Sequence, residues 1–284
     1  MNATVKAYAK LNLTLNITGR EGGFHMLESL VCSVDVYDLI KLKRRKDGEV
    51  SVQMHGLGTE TLPPEQNNAY KAALAYIRRF KTCGADVTIY KNIPVGAGMG
   101  GSSADAAGVL RGMNKLYGLG KESELKELAD GLGSDAGYML TGGFAKLGGR
   151  GEKVEKLDCR TRLDFLLLVP EKGVSAAECY HLYDELSASG SKPSNAENAL
   201  LSGDIDGLGE MLCNDLYEPA KAINGSVEQA FNQLKEFAPL GVNMTGSGSG
   251  VYALFENAEF CRWAKSRYRG KFDCFVIKSV IPEI

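Results

Sequence analysis

A mixed helix-and-strand chain, divided near residues 158–163, is the architecture this sequence predicts. Three observations predict it. Residues 3–18 alternate along the chain with the two-residue period of a strand. A strand, a glycine-rich loop and a helix start follow one another between Ala85 and Leu110. Leu163 to Pro170 is an almost unbroken apolar run, the pattern of a strand covered on both faces in the middle of a sheet.

The 284 residues suit one large domain or two modest ones and can bury a substantial core. Hydrophobic content of 44% and charged content of 24% are those of an ordinary globular enzyme. A formal charge of −2 gives no electrostatic case for nucleic acid or an anionic membrane as partner. The basic run Lys41 to Lys46 reads as a solvated strand end. No apolar stretch approaches the ~18 residues of a membrane span, and Met1 to Lys6 lacks the apolar core of a signal peptide. Seven cysteines are scattered singly with no C-x-x-C pair, which points to a reducing, cytoplasmic setting rather than disulfides or zinc. Three dispersed histidines predict no metal cluster.

The first strand places Val5, Ala7, Ala9, Leu11, Leu13, Leu15 and Ile17 on one face. Lys10 and Asn12 then share the other, either as an exposed face or as paired site residues. Gly19 to His25 reads as a glycine-flanked loop, Leu30 to Leu42 as a long strand, Glu49 to His55 as another, and Asn67 to Phe80 as a helix.

The central stretch is Pro94-Val95-Gly96-Ala97-Gly98-Met99-Gly100-Gly101-Ser102-Ser103-Ala104. It joins the strand Ala85–Asn92 to a helix running to about Tyr117. Glycines let the backbone turn several N–H groups inward, and a helix N-terminus adds unsatisfied N–H groups and a positive dipole end. The combination predicts an anion site, with Ser102 and Ser103 capping the helix or reaching a phosphate oxygen or its metal ion. The loop lacks the lysine of a Walker loop. Gly96, Gly98 and Gly101 also satisfy G-x-G-x-x-G, but a dinucleotide fold needs a second strand ending in an acidic residue some 20 positions on. That window holds Leu119 to Leu125, a loop and a new helix.

Ser123 to Leu132 reads as a short helix. Asp135, after the turn Gly133-Ser134, is open to two readings, a helix cap or a carboxylate facing a ligand. Glycines at 142–143 and 148–151 bracket a hairpin. Beyond the apolar strand, Ser175-Ala176-Ala177-Glu178 is a capping box opening a helix to Leu186. Ser187 to Asn195 reads as a loop; helices follow at Glu197–Leu201, Leu208–Ala222 and Ser226–Phe237. A second glycine-rich turn, Thr245 to Gly250, reads as a hairpin turn or as part of a shared phosphate site. A helix, Glu259 to Tyr268, and a strand, Phe272 to Val280, close the chain.

Three stretches in this order, Ala9-Lys10-Leu11-Asn12, Pro94 to Ala104, and Thr245 to Gly250, resemble the motifs of the GHMP kinases and span nearly the whole chain. The resemblance implies an α+β fold of two lobes, residues 1–160 like domain 2 of ribosomal protein S5 and residues 161–284 ferredoxin-like, with the site in the cleft between them. It implies ATP and Mg²⁺ as cofactors, Lys10 and Asp135 as the catalytic pair, and the eleven residues Pro94 to Ala104 around the ATP phosphates. The acceptor implied is a small molecule, a cytidine diphosphate sugar alcohol, touched by Asn12 and His25, with Phe24 and Tyr180 stacking on its cytosine. A monomer or homodimer, with neither nucleic acid nor membrane as partner, completes the expectation.

Overall fold

The computed structural model describes residues 1–56, 63–186 and 195–283. Strand β1 (Asn2–Asn12) is followed after one residue by β2 (Thr14–Glu21), β3 (Phe24–Arg44) and β4 (Val50–Gly56). The expected loop at 19–25 is therefore mostly strand. Pairing of Arg20 with His25 and Glu21 with Phe24 carries the ladder to a tight turn at Gly22-Gly23. The 21-residue β3 is the spine of the first sheet, pairing antiparallel with β1, β2, β5 (Ala85–Lys91) and β6 (Phe144–Gly148).

Helix α1 (Asn68–Phe80) starts at Asn67, whose side chain accepts from the Ala69 N–H. Helix α2 begins at Gly101, three residues earlier than its sequence suggests, and ends at Tyr117. Its N-cap is Gly100 at φ +74°, so neither Ser102 nor Ser103 caps it; both lie in the first turn. The left-handed cap conformation is open to glycine and strained for serine. Helices α3 (Glu122–Asp130) and α4 (Ala136–Thr141) lead into β6 and β7 (Lys153–Leu157). Gly148 ends β6, and Gly149 and Gly151 lie in the turn of that hairpin, so these glycines are inside it rather than flanking it.

The apolar run forms β8 (Asp164–Val169), central in a four-stranded antiparallel sheet of order β10-β11-β8-β12. Between β8 and β10 lie α5 (Ala176–Glu185), α6 (Ala196–Ser202), α7 (Ile205–Glu210), the two-residue β9 (Cys213–Asn214), α8 (Tyr217–Ile223) and α9 (Ser226–Lys235). The single helix expected over 208–222 is thus two, because residues 213–214 leave the helix to pair in parallel with β2. The hairpin β10 (Gly241–Met244) and β11 (Val251–Phe255), helix α10 (Ala258–Arg267) and β12 (Asp273–Lys278) complete a βαββαβ order of ferredoxin type. The loop expected at Ser187–Asn195 lies, but for Asn195, outside the described residues.

Alternation along β8 explains its apolar run. Phe165 and Leu167 face the core of the first sheet, whereas Leu166 and Leu168 face a second cluster with Val227, Ala230 and Leu234 of α9. Among the described residues no helix is long and apolar enough to cross a membrane.

Tyr252 of β11, fully buried, donates from its hydroxyl to the carbonyl of Asn12 at 2.7 Å and so ties the second sheet to the end of β1. Tyr252→Phe leaves that buried carbonyl unsatisfied. We expect a loss of about 1–2 kcal/mol in unfolding free energy, measured by urea denaturation.

Candidate functional site

Two backbone loops approach each other over the end of β1. The glycine loop follows β5, and the loop 245–250 joins β10 to β11. Gly98 sits at φ +71°, and a Cβ there would collide with the carbonyl oxygen of Thr245. A Cβ on Gly246 would lie 2.7 Å from the Gly98 carbonyl oxygen. Main-chain bonds fasten the contact: Ser249 N–H to Gly96 O at 3.0 Å and Gly250 N–H to Ala97 O at 3.2 Å. The Lys10 N–H joins from below, donating to Met99 O at 3.1 Å.

Asn12 is the knot of this arrangement. Its Oδ1 accepts from the Lys10 ammonium and from the Gly246 N–H at 2.9 Å. Its Nδ2 donates to Ser29 Oγ at 2.8 Å, and its own N–H to Thr245 Oγ1 at 3.1 Å. The carboxamide expected to meet a substrate is thus largely committed to the protein and buried. Lys10 is buried as well, and its Nζ lies 3.5 Å from Asp135 Oδ2. Asp135 stands at the N-cap position of α4 with helical backbone angles, but its side chain makes no capping bond. Of its two sequence readings, the structure excludes a capping side chain and turns the carboxylate toward Lys10.

Two clefts open on either side of the glycine loop. The larger, about 770 Å³, is lined by Lys10, Asn12, Phe24, His25, Asp135 and Tyr180, among others. The smaller, about 300 Å³, runs along Pro94 to Ser103 and the start of α1. They share Gly98, Gly100 and Ser103. The start of α2 backs the smaller cleft, and Asn68 donates to Ser102 Oγ at 2.8 Å across its mouth.

At the far end of the larger cleft the β2–β3 hairpin meets α5. His25 Nε2 lies 2.7 Å from Asp184 Oδ1, Arg20 donates to Asp184 Oδ2 at 3.0 Å, and the His25 ring stacks on Tyr180 at 4.9 Å. The hydrogen bond from His25 holds the Asp184 carboxyl below its usual range. Burial, and then the Asp135 carboxylate, push the Tyr180 hydroxyl up to about 12, so it stays neutral at physiological pH. Phe24 is 55% exposed, with the Arg150 guanidinium 4.8 Å above its ring. The ring against Tyr180 is therefore that of His25, not Phe24.

Sequence reasoning missed Asp184 and Arg150, and gave Arg20 no role of its own. Each is an ordinary charged residue locally, and only the fold brings it to the cleft. It also missed Lys91, which supplies beneath the loop the ammonium that the loop sequence lacks. Lys91 bonds Asp38, and Asp105 at 2.6 Å.

The family described as the GHMP kinases N terminal domain matches residues 67–145, and the GHMP kinases C terminal family matches residues 196–261. A 4-diphosphocytidyl-2-C-methyl-D-erythritol kinase of Caldicellulosiruptor saccharolyticus is 36% identical over 259 residues, covering 89% of this chain and 88% of the relative. The enzyme of that name from Caldanaerobacter subterraneus subsp. tengcongensis is 33% identical over 291 residues, covering 100% and 98%. A crystal structure of 4-(cytidine 5'-diphospho)-2C-methyl-D-erythritol kinase superposes with TM-score 0.81 at 26% identity, covering 98% of this chain and 99% of that one. A more distant likeness is to the L. major mevalonate kinase in complex with R-mevalonate, which at 17% identity and TM-score 0.74, covering 98% of this chain and 96% of that one, shares the fold.

Gly98→Ala combines a positive-φ penalty with the collision against Thr245. We expect a loss of roughly 2–5 kcal/mol, read as a lower unfolding midpoint.

Proposed function

The chain belongs to the GHMP kinases, and on that premise we propose that it transfers the γ-phosphoryl group of ATP to the 2-hydroxyl of 4-diphosphocytidyl-2-C-methyl-D-erythritol, in the non-mevalonate route to isoprenoid precursors. The observation that carries the reading is the Lys10–Asp135 pair, set beside the loop where the two clefts meet. Donor and acceptor entering from opposite sides would face each other there.

The smaller cleft takes the triphosphate. Pro94 to Ala104 presents backbone N–H groups, and the start of α2 adds its dipole. The larger cleft is of a size that holds a small molecule. Phe24, His25 and Tyr180 offer ring faces for the cytosine, while Arg20 and Arg150 bring positive charge to the same cleft for the diphosphate. Asp135, with its side chain 29% exposed, accepts the proton of the attacking hydroxyl. Lys10, beside that carboxylate, offsets charge developing on the attacking oxygen. Asn12 holds the Lys10 ammonium in place and leaves little of its own side chain for substrate.

Mg²⁺ is expected to arrive with ATP. Among the described residues no group of three His, Cys, Asp or Glu could hold an ion alone. Asp135, a hard oxygen donor, lies beside the shared glycines, so the residues present fit a magnesium ion that its carboxylate would help to hold. When bound, the ion would supply positive charge that offsets the charge of the phosphates. We read residues 1–160 and 161–284 as the two domains, supported by the four-stranded sheet, all of whose strands follow residue 163; of the strands after that point only the two-residue β9 joins the first sheet. The enzyme reads as a cytoplasmic monomer or homodimer.

Asp135→Asn should bind ATP normally yet lose turnover by roughly 100- to 10,000-fold. Lys10→Ala should lower kcat far more than it raises the KM for ATP. The decisive assay is ADP release with Mg-ATP and a panel of the cytidylyl substrate, homoserine, mevalonate and galactose. Turnover with the cytidylyl substrate alone is expected. Turnover with another member would overturn the acceptor, and ATP binding without any turnover would overturn the reaction.

A further inference from the structure

Beneath the glycine loop lies a cluster of charges that the reaction above leaves without a role. Lys91 ends β5, Asp38 lies on β3 and Asp105 on α2, and all three are buried. The Lys91 ammonium bonds one oxygen of each carboxylate. The other oxygen of Asp38 accepts the N–H groups of Asn92 at 2.6 Å and Ile93 at 2.9 Å, the two residues that lead into Pro94. The cluster therefore anchors both ends of the loop, its entry through Asp38 and its exit helix through Asp105. Lys91 Nζ stands 3.6 Å from where a Gly101 Cβ would be, at the start of that helix.

The charges do not balance. One ammonium faces two carboxylates, which leaves one negative charge in excess directly under a site for a polyanion. The donors do not balance either. Asp38 accepts from three donors, whereas Asp105 Oδ1 is buried with no hydrogen-bond partner. A bare ionised oxygen without a donor is among the most costly groups to bury; a proton on it removes the excess charge and leaves a neutral hydroxyl, which costs far less to bury unpaired.

We propose that Asp105 carries a proton in the folded protein, so that Asp38, Lys91 and Asp105 form a charge-neutral tie that positions the phosphate loop. Burial is the largest influence on the Asp105 carboxyl and raises it to about 7, against the opposing pull of Lys91 and with the help of Asp38. Burial also works against the charge on Lys91, but the two carboxylates hold its ammonium above the usual lysine value. The charges facing Asp105 are Lys91 from β5 and Asp38 from β3. Lys10 of β1 and Asp135 at the start of α4 pair with each other on the other side of Gly100, Glu122 of α3 bonds Asn114 at the far end of α2, and α1 presents the neutral Asn68.

The sign follows from the direction of the shift. The folded protein keeps a proton that the unfolded chain releases near 3.8, so this contribution to stability is complete below that value and is lost as pH rises through about 7. Ionisation of Asp105 also adds a negative charge under the loop. The consequence for nucleotide rests on the reading of Pro94 to Ala104 as the ATP phosphate site; the proton itself does not.

Carbon-13 NMR of the aspartate carboxyl groups in the full chain, from about pH 5 to 9, tests the proton directly. One signal should titrate near neutrality and vanish in Asp105→Asn. Absence of any aspartate titrating in that range, or its persistence in the variant, overturns the proposal. The wild-type titration alone decides if the variant does not fold. Direct binding of Mg-ATP over the same range tests the positioning role. Affinity should weaken several-fold with rising pH in the wild type and stay flat in Asp105→Asn. Identical profiles would overturn that role. Failure to bind ATP at any pH would instead overturn the phosphate-loop reading, with the NMR result still judging the proton.

Discussion

The closeness of two stretches of backbone governs the rest of this site. Gly98 lies against Thr245 and Gly246 with no room for a side chain between them. Main-chain hydrogen bonds hold the two loops in register, and Asn12 fills the space below with its carboxamide. Contacts of this kind leave few adjustable atoms. The loops therefore move together, and any group placed on one is placed relative to the other. Lys10, two residues before Asn12 on the same strand face, inherits that fixed position.

Charge is distributed around this backbone knot in a way that follows burial. Lys10 and Asp135 are paired, yet Asp135 remains partly open to the larger cleft. The pair is shielded enough to interact strongly and exposed enough to meet a reacting group. Lys91, Asp38 and Asp105 are far more deeply buried by contrast, although Lys91 and Asp105 line the smaller cleft with what little surface they expose. An anion site backed by helix dipole and N–H groups works best when no buried negative charge lies behind it. That requirement and the orphaned oxygen of Asp105 lead to the same protonation state.

The larger cleft is built differently. Its wall is a hairpin tip from the first sheet clasped to α5 beside the second, through Arg20, His25 and Asp184. These are partly exposed pairs, individually weak and screened by solvent. The loop side is held by buried main-chain bonds and the clasp by surface side chains, so the clasp is the end of the cleft with more freedom to rearrange around a ligand. The stacked His25 and Tyr180 rings are the part that a planar base would have to engage.

Much of this was legible in one dimension because it rests on local chemistry. Glycine density marks where backbone must come close, and it located both loops. Period-two alternation placed Lys10 and Asn12 on one face, and the apolar run of β8 announced a strand between two layers. Capping chemistry was less legible: Gly100 took the cap, which had been one of the roles open to Ser102 and Ser103, since a left-handed residue was needed there. The helix expected over 208–222 broke because β2 offered residues 213–214 a strand partner, a tertiary bond overriding local propensity. By itself, then, the sequence determined most of the elements, the two loops and the family motifs, and through those motifs it named Lys10 and Asp135 as a pair. The tertiary structure alone decided that Asn12 meets Thr245 across 233 positions, that Asp184 and Arg150 reach the cleft, and that Lys91 lies under a loop without a lysine of its own. Local pattern reports what a residue needs nearby, whereas which distant residue supplies it is set by how the sheets and helices bury their apolar faces.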